Sequence, residues 1–306
     1  MNNDYSKYYG LKFWPTWFGL GLLRLLSLLP LPISTLFGYS FGALAYLLFA
    51  SRRKIALKNL VACFPEKQLS ELKKTNFWHF LFVGQAIFTS PINWWSSRKR
   101  FERMISISGR EAYDQALADG HNIILLAPHF MAMEISGLYL QAERPMIGMY
   151  QYVKNPLINQ FSLNKRQRFC NGGFMFERKD SLRSILRELS KGLPMQYSPD
   201  QDAMRKGVFV PFFHPLASTT PALGKFARTT KAVIIPCYSI YKKWGMGYEV
   251  ILGEAIENAG TGDEIHDTTV MNQAIEAMVR QDPEQYLWSH KRFKTRPEGE
   301  PAFYQW

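Results

Sequence analysis

The segment NIILLAPHFMAMEISGLYL, residues 122–140, constrains the fold most, because it holds a strand, a break and a helix in nineteen residues. Asn122 to Leu126 is an apolar run without helical period, the pattern of a short strand buried on both faces. Ala127-Pro128 interrupts it, and the apolar run from Phe130 to Leu140 predicts a helix. His129 then stands on the turn at the helix start, with Glu134 about one turn further in. Two residues five apart in a regular helix point roughly 140° away from each other. A histidine in the non-helical turn escapes that limit and can fold back onto the glutamate. A carboxylate on one ring nitrogen fixes the tautomer and leaves the other nitrogen as a general base. No Ser or Cys adjoins the histidine, so the pattern favours direct attack by a substrate alcohol.

The rest of the chain supplies strands and helices in alternation. Runs at 146–150, 207–213, 233–240 and 248–252 read as strands, and 180–190, 221–230 and 267–280 as helices. This order predicts an α/β fold with a mainly parallel central sheet flanked by helices. His129 would lie beyond the carboxyl end of its strand, where open sheets of this kind bind ligands. Upstream, 53–64 and 66–92 are helical in pattern.

The first fifty residues differ in kind. From Leu11 to Ala50 the only charges are Lys12 and Arg24, and Ile33 to Ala50 is an uncharged run of eighteen residues. That approaches the ~20 residues needed to span a bilayer core. Ser51-Arg52-Arg53-Lys54 follows, a basic cluster that the positive-inside rule keeps cytoplasmic. We therefore divide the chain into an N-terminal hydrophobic membrane anchor (1–50), spanning or monotopic, and a main domain (51–306). A hairpin packed on the domain fits the same pattern.

With 37 Lys plus Arg against 25 Asp plus Glu, the chain carries a formal charge of +12, which favours an anionic partner. Cys63, Cys170 and Cys237 are scattered and odd in number, so they predict neither a disulfide framework nor a zinc site. No P-loop, dinucleotide fingerprint or H-E-x-x-H motif occurs.

HFMAME after an apolar strand resembles the H-x-x-x-x-D/E signature of the glycerolipid acyltransferases. More narrowly, the chain resembles the late acyltransferases of lipid A biosynthesis, the lauroyl/myristoyl enzymes of Gram-negative bacteria. SRRKIALKNLVACFPE (51–66) is similar to that family's basic segment. QYSPDQD (196–202) with GVFVPFFHPLASTT (207–220) is similar to its second block, and PEQYLWSHKRFKTRPEGE (283–300) to its C-terminal signature.

The resemblance implies a fatty acyl transfer from acyl carrier protein to a hydroxyl of a phosphorylated lipid A precursor, forming a secondary acyloxyacyl ester. It places the protein at the cytoplasmic side of the bacterial inner membrane, in contact with its lipid, and calls for no cofactor or metal beyond the carrier's thioester. In these terms His129 is the base and Glu134 its orienting partner. The family's arginine in the 152–168 block is matched by Arg166, with Arg168 as the neighbouring candidate. Asp200 matches an acidic position of the second block and is assigned a structural or substrate-orienting role, and Arg168 is a further candidate for substrate binding. Arg178 and Lys179 open the helix after FMFER, where they could meet a phosphate or form a solvated helix start. The interleaved basic and aromatic residues of the C-terminal block also fit nucleic acid in principle. The apolar N-terminus and the family match set that aside. A lysophospholipid or phosphatidylinositol-mannoside acyltransferase, or a catalytically silent membrane-tethered binding protein, remain the alternatives.

Overall fold

The computed structural model describes residues 4–170, 172–177, 180 and 182–305. Four long helices come first: α1 (Trp14–Leu26), α2 (Leu31–Leu48), α3 (Ala50–Cys63) and α4 (Leu69–Trp95). A short α5 (Arg98–Glu102) leads into β1 (Ile105–Ser108), α6 (Glu111–Ala118), β2 (Ile123–Leu126) and α7 (Met133–Glu143). Next come β3 (Ile147–Tyr150), α8 (Pro156–Arg166), β4 (Phe174–Glu177), α9 (Leu182–Leu189) and β5 (Met195–Tyr197). The chain closes with β6 (Val208–Pro211), β7 (Leu216–Thr219), α10 (Ala222–Thr230), β8 (Val233–Tyr241), β9 (Tyr248–Leu252) and α11 (Glu264–Gln281).

Seven strands form one sheet in the order β1-β9-β8-β2-β5-β3-β4. All neighbours are parallel except β8 and β9. This is the mainly parallel, helix-flanked α/β sheet expected from the alternation of patterns. β2 lies at its centre and shows why the run IILL carries no period: Ile123 and Leu125 enter one core, Ile124 and Leu126 the other, and all four are buried. The run at 207–213 is a correction. It forms β6, which pairs with β7 in a separate antiparallel hairpin rather than joining the main sheet.

The apolar run 33–50 folds as α2, among the described residues the one helix long and apolar enough to cross a membrane. One face of α2 is fixed against α4 by close backbone approach. A Cβ on Gly84 would lie 2.1 Å from the Gly38 carbonyl oxygen and 2.6 Å from the Gly42 nitrogen. The buried seam also carries a hydrogen bond from Gln85 Nε2 to Thr35 Oγ1 (3.0 Å). The opposite face exposes Leu36, Phe37, Phe41, Leu44, Leu47 and Leu48.

Several cations serve this helical layer. Arg100 donates to the carbonyls of Ser27 (3.1 Å) and Leu29 (2.9 Å) just beyond α1, and Arg168 to that of Ser96 (2.5 Å) after α4. Carbonyls at helix C-termini lack intrahelical partners and carry partial negative charge, so arginines are suited to them. Trp94 and Trp95 are half-buried against Phe161.

Packing at Gly84 generates a direct expectation. Gly84→Val forces α2 off α4 and costs about 1–3 kcal/mol or more, whereas Leu44→Ala on the exposed face stays within about 0.5 kcal/mol. Thermal unfolding in detergent checks this, and equal melting temperatures for the two variants contradict it.

Candidate active site

Strands β2 and β5 are parallel neighbours, with Leu126 in register with Tyr197. Each strand ends there, and the two loops leave the same edge of the sheet side by side. The Ala127 N–H donates to the Tyr197 carbonyl (2.9 Å), and the Ser198 hydroxyl donates to the Ala127 carbonyl (2.5 Å). Three residues beyond each strand end stand His129 and Asp200, and they meet. His129 Nδ1 lies 2.6 Å from Asp200 Oδ1, and the His129 backbone N–H donates to Asp200 Oδ2 (2.8 Å). One carboxylate thus holds both the ring and the backbone of the histidine.

The Asp200 side chain is 1% exposed and that of His129 23%. Burial by itself would raise the Asp200 carboxyl, but the His129 charge and its two hydrogen bonds outweigh burial and hold it at about 2. For His129, burial pulls downward, yet the facing carboxylate raises its pKa above the ordinary value. Tyr286 stands close to Asp200, and burial together with that negative charge pushes its phenol well up. With Nδ1 committed to the carboxylate, Nε2 is the ring atom available to a substrate.

The expected pairing of His129 with Glu134 is corrected by this geometry. The helix begins at Met133 and not at Phe130, because residues 129–131 are engaged by the C-terminal block. Met131 N–H donates to the Gln285 carbonyl (2.8 Å), and Leu287 N–H to the His129 carbonyl (3.1 Å). Gln285 is in turn held by hydrogen bonds to both backbone groups of Tyr241 (2.7 and 3.0 Å). Glu134 therefore sits in the first turn of α7, where Arg166 at the end of α8 reaches it. Arg166 Nη2 lies 2.5 Å and Nε 3.0 Å from Glu134 Oε1. Gln141 from α7 binds the Arg166 carbonyl and ties the two helices together. Both partners are about one-third exposed, so the ion pair adds little stability. What it does is fix a guanidinium and a carboxylate beside the histidine.

His129, Glu134 and Arg166 line one cavity of about 680 Å³, within the ~300–1,000 Å³ usual for ligand sites. Its wall mixes four methionines, Met133, Met146, Met149 and Met175, with further polar side chains that include Gln141, Gln151, Gln196 and Asp202. Thioether side chains re-pack easily, which suits a flexible hydrocarbon ligand. Gly148 keeps part of this space, since a Cβ there would lie 2.5 Å from Met175 Sδ.

The other expected residues fall elsewhere. Arg168 turns away from the cavity to Ser96 and stacks on Phe169, 4.0 Å from the ring centroid. Burial lowers its pKa to about 10. Arg178 and Lys179 lie outside the described residues. The cations of the C-terminal block are partly structural: Arg292 donates to the Ser218 carbonyl (2.7 Å) and Thr219 Oγ1 (2.5 Å), and Arg296 to the Leu216 carbonyl (2.7 Å). Sequence reasoning missed Tyr286 and Gln285. Both lie in the block PEQYLWSH, but nothing local says that it binds the histidine turn. Among the described residues no group of three or more His, Cys, Asp or Glu side chains is placed to hold a metal ion, and the three cysteines are free and buried.

Comparison with known proteins bears on the same geometry. The model of the bacterial lipid A biosynthesis acyltransferase family matches residues 3–295. The chain is 34% identical to a lipid A biosynthesis lauroyltransferase of Escherichia coli over 96% of its length and 95% of the relative's. It is 32% identical to a palmitoleoyltransferase of the same pathway and organism, at the same coverage of both chains. With a lipid A biosynthesis myristoyltransferase of that organism it shares 26% identity, over 94% of its own length and 90% of the relative's. A match of this extent places the chain in the bacterial lipid A biosynthesis acyltransferase family.

Proposed function

We propose that this acyltransferase moves a fatty acyl chain from the thioester of an acyl carrier protein to a hydroxyl of a phosphorylated lipid A precursor. The product is a secondary acyloxyacyl ester. The observation that carries the reading is a histidine oriented by a buried carboxylate on the wall of a methionine-lined cavity of about 680 Å³. His129 Nε2 takes the proton of the acceptor hydroxyl, and the oxygen attacks the thioester carbonyl carbon. Asp200 stabilises the resulting imidazolium. Arg166, held by Glu134, faces the oxygen of the tetrahedral intermediate. Collapse breaks the carbon–sulfur bond, and the leaving thiolate takes the proton back from His129. No acyl-enzyme forms and no cofactor takes part. Asp200, assigned from the resemblance to substrate orientation, is in this reading the partner of the base.

We place the reaction at the cytoplasmic face of the inner membrane. Supporting this are the exposed apolar faces of α1 (Trp14, Phe18, Leu22, Leu25) and α2, next to the Arg52-Arg53-Lys54 cluster. Since the inner face of α2 is occupied by α4, a helix lying in the interface fits better than a free span. The net charge of +12 suits both an acidic carrier protein and a phosphorylated glycolipid.

The test of function is transfer of labelled acyl groups from acyl carrier protein to a tetra-acylated lipid A precursor. Wild type forms product, and His129→Ala loses about 10²–10⁴-fold. Transfer only to lysophospholipid acceptors, or undiminished turnover by a folded His129→Ala, contradicts the reading.

The pH profile separates the two carboxylates. The base works as neutral imidazole, so activity falls as pH drops through the raised pKa of His129. Removing the Asp200 charge lowers that pKa, so Asp200→Asn moves the acid limb to lower pH and reduces kcat about 10²–10⁴-fold. Glu134→Gln lowers kcat through Arg166 and leaves the acid limb in place. A limb that moves in Glu134→Gln and stays in Asp200→Asn refutes the assignment.

For membrane docking, Phe37→Asp with Phe41→Asp removes two side chains worth about 1.5–3 kcal/mol each on burial. Co-sedimentation with anionic vesicles should fall at least tenfold; unchanged partitioning contradicts α2 as the contact.

A further inference from the structure

His129 does not border one cavity but two. The second, of about 280 Å³, shares His129, Met133 and Glu134 with the first, and is completed by the rest of the histidine turn, Ile135 and three other elements. Ser90 and Asn93 come from α4, Tyr241 from the end of β8, and Leu287 from the C-terminal block. The histidine turn is therefore a partition with space on either side, and Glu134 stands in both walls. A transferase that forms no covalent intermediate has to bring two substrates to one base at the same time, and two cavities meeting at one imidazole supply that arrangement.

We propose that the smaller cavity receives the hydroxyl-bearing acyl arm of the acceptor, while the larger one holds the chain of the donor. This rests on the acyl-transfer reading above and goes beyond it by assigning each substrate its own site. Three observations distribute them. Arg166 lines only the larger cavity, so the carbonyl that becomes an oxyanion belongs there. The larger volume and its methionine wall suit a donor chain that has to enter in full. The smaller cavity is too small for a phosphorylated disaccharide with its chains, and admits one arm of such a lipid only.

Its position favours a substrate that comes from the membrane. Ser90 lies one turn beyond Ile87 on the same face of α4, and Ile87 is 50% exposed. Phe88 of α4 contacts Phe41 on the outward face of α2, with ring centroids 5.7 Å apart. The apolar surface assigned to the bilayer thus continues along α4 to the rim of this cavity. Its polar groups match an arm bearing a hydroxyl and a carbonyl. The Ser90 hydroxyl donates to the Ala86 carbonyl (2.6 Å), which leaves its oxygen to accept. Asn93 Oδ1 accepts from the Tyr248 hydroxyl (2.9 Å), which orients the amide and leaves its NH2 as the donor.

Steady-state transfer by the full-length protein tests the assignment, with acyl carrier protein thioester and tetra-acylated lipid A precursor each varied in turn. Ser90→Phe fills the cavity and raises the KM for the acceptor at least tenfold, while the KM for the donor stays within twofold. An acceptor with its 3-hydroxyacyl arm cut to four carbons no longer reaches the added ring, and the handicap of Ser90→Phe against wild type shrinks below threefold. Leu287→Trp blocks the cavity from the opposite wall and serves if Ser90→Phe does not fold. An unchanged acceptor KM in either folded variant, or a rise in donor KM instead, overturns the proposal. Absence of transfer by wild type would overturn the acyl-transfer reading instead. Equilibrium binding of the precursor, which needs no turnover, then decides the cavity's occupant: a Kd equal in wild type and Ser90→Phe excludes the acceptor arm.

Discussion

Asp200 is a charged side chain in a nearly sealed position, and the site is arranged around the need to satisfy it. An isolated buried carboxylate is costly, so its two oxygens have to be paired within the protein. His129 meets this need twice, through ring and backbone. Together with the bonds from the C-terminal block to His129 and Met131, these contacts fix the turn after β2 and so where α7 begins. The same contacts leave Nε2 facing the cavities. Stabilising the carboxylate and orienting the imidazole are one structural event.

The four sequence blocks that carry the family resemblance come together through this event. Asn59, from the block ending in CFPE, donates to the carbonyls of Trp288 (2.8 Å) and His290 (2.9 Å) in the C-terminal block. That block holds the His129 turn through residues 285–287 and the β6–β7 hairpin through Arg292 and Arg296. The basic character of the chain therefore has two sources. Some arginines satisfy helix ends and loop carbonyls inside the protein. Others, among them Lys54, Arg205 and Lys206, remain exposed and give the surface its positive field.

Much of this fold is legible in the sequence, because local pattern and burial agree. IILL reads as a strand buried on both faces, and the strands at 146–150, 233–240 and 248–252 appear within a residue or two. His129 stands out because a histidine between a strand and a helix has few structural reasons to be there. Its partner does not. Asp200 is 71 residues away, and only the register of β2 on β5 brings the two together. Glu134, five residues from the histidine, offers the local alternative, and it fails because α7 starts three residues later than the apolar run suggests. Arg166 and Asp200 were drawn in by resemblance and not by spacing. Tyr286, Gln285 and the glycine contacts between α2 and α4 depend on packing between distant segments, for which a single sequence carries no periodic signal.

The central claim is that Asp200 and not Glu134 governs His129, and the imidazole itself reports on this. In protein labelled with ¹⁵N at histidine, NMR distinguishes the two ring nitrogens and their protonation. The account predicts a neutral tautomer protonated at Nδ1, with a strongly hydrogen-bonded proton, kept in Glu134→Gln and lost in Asp200→Asn. A signal lost in Glu134→Gln and kept in Asp200→Asn, or a ring protonated at Nε2 in the wild type, would contradict it.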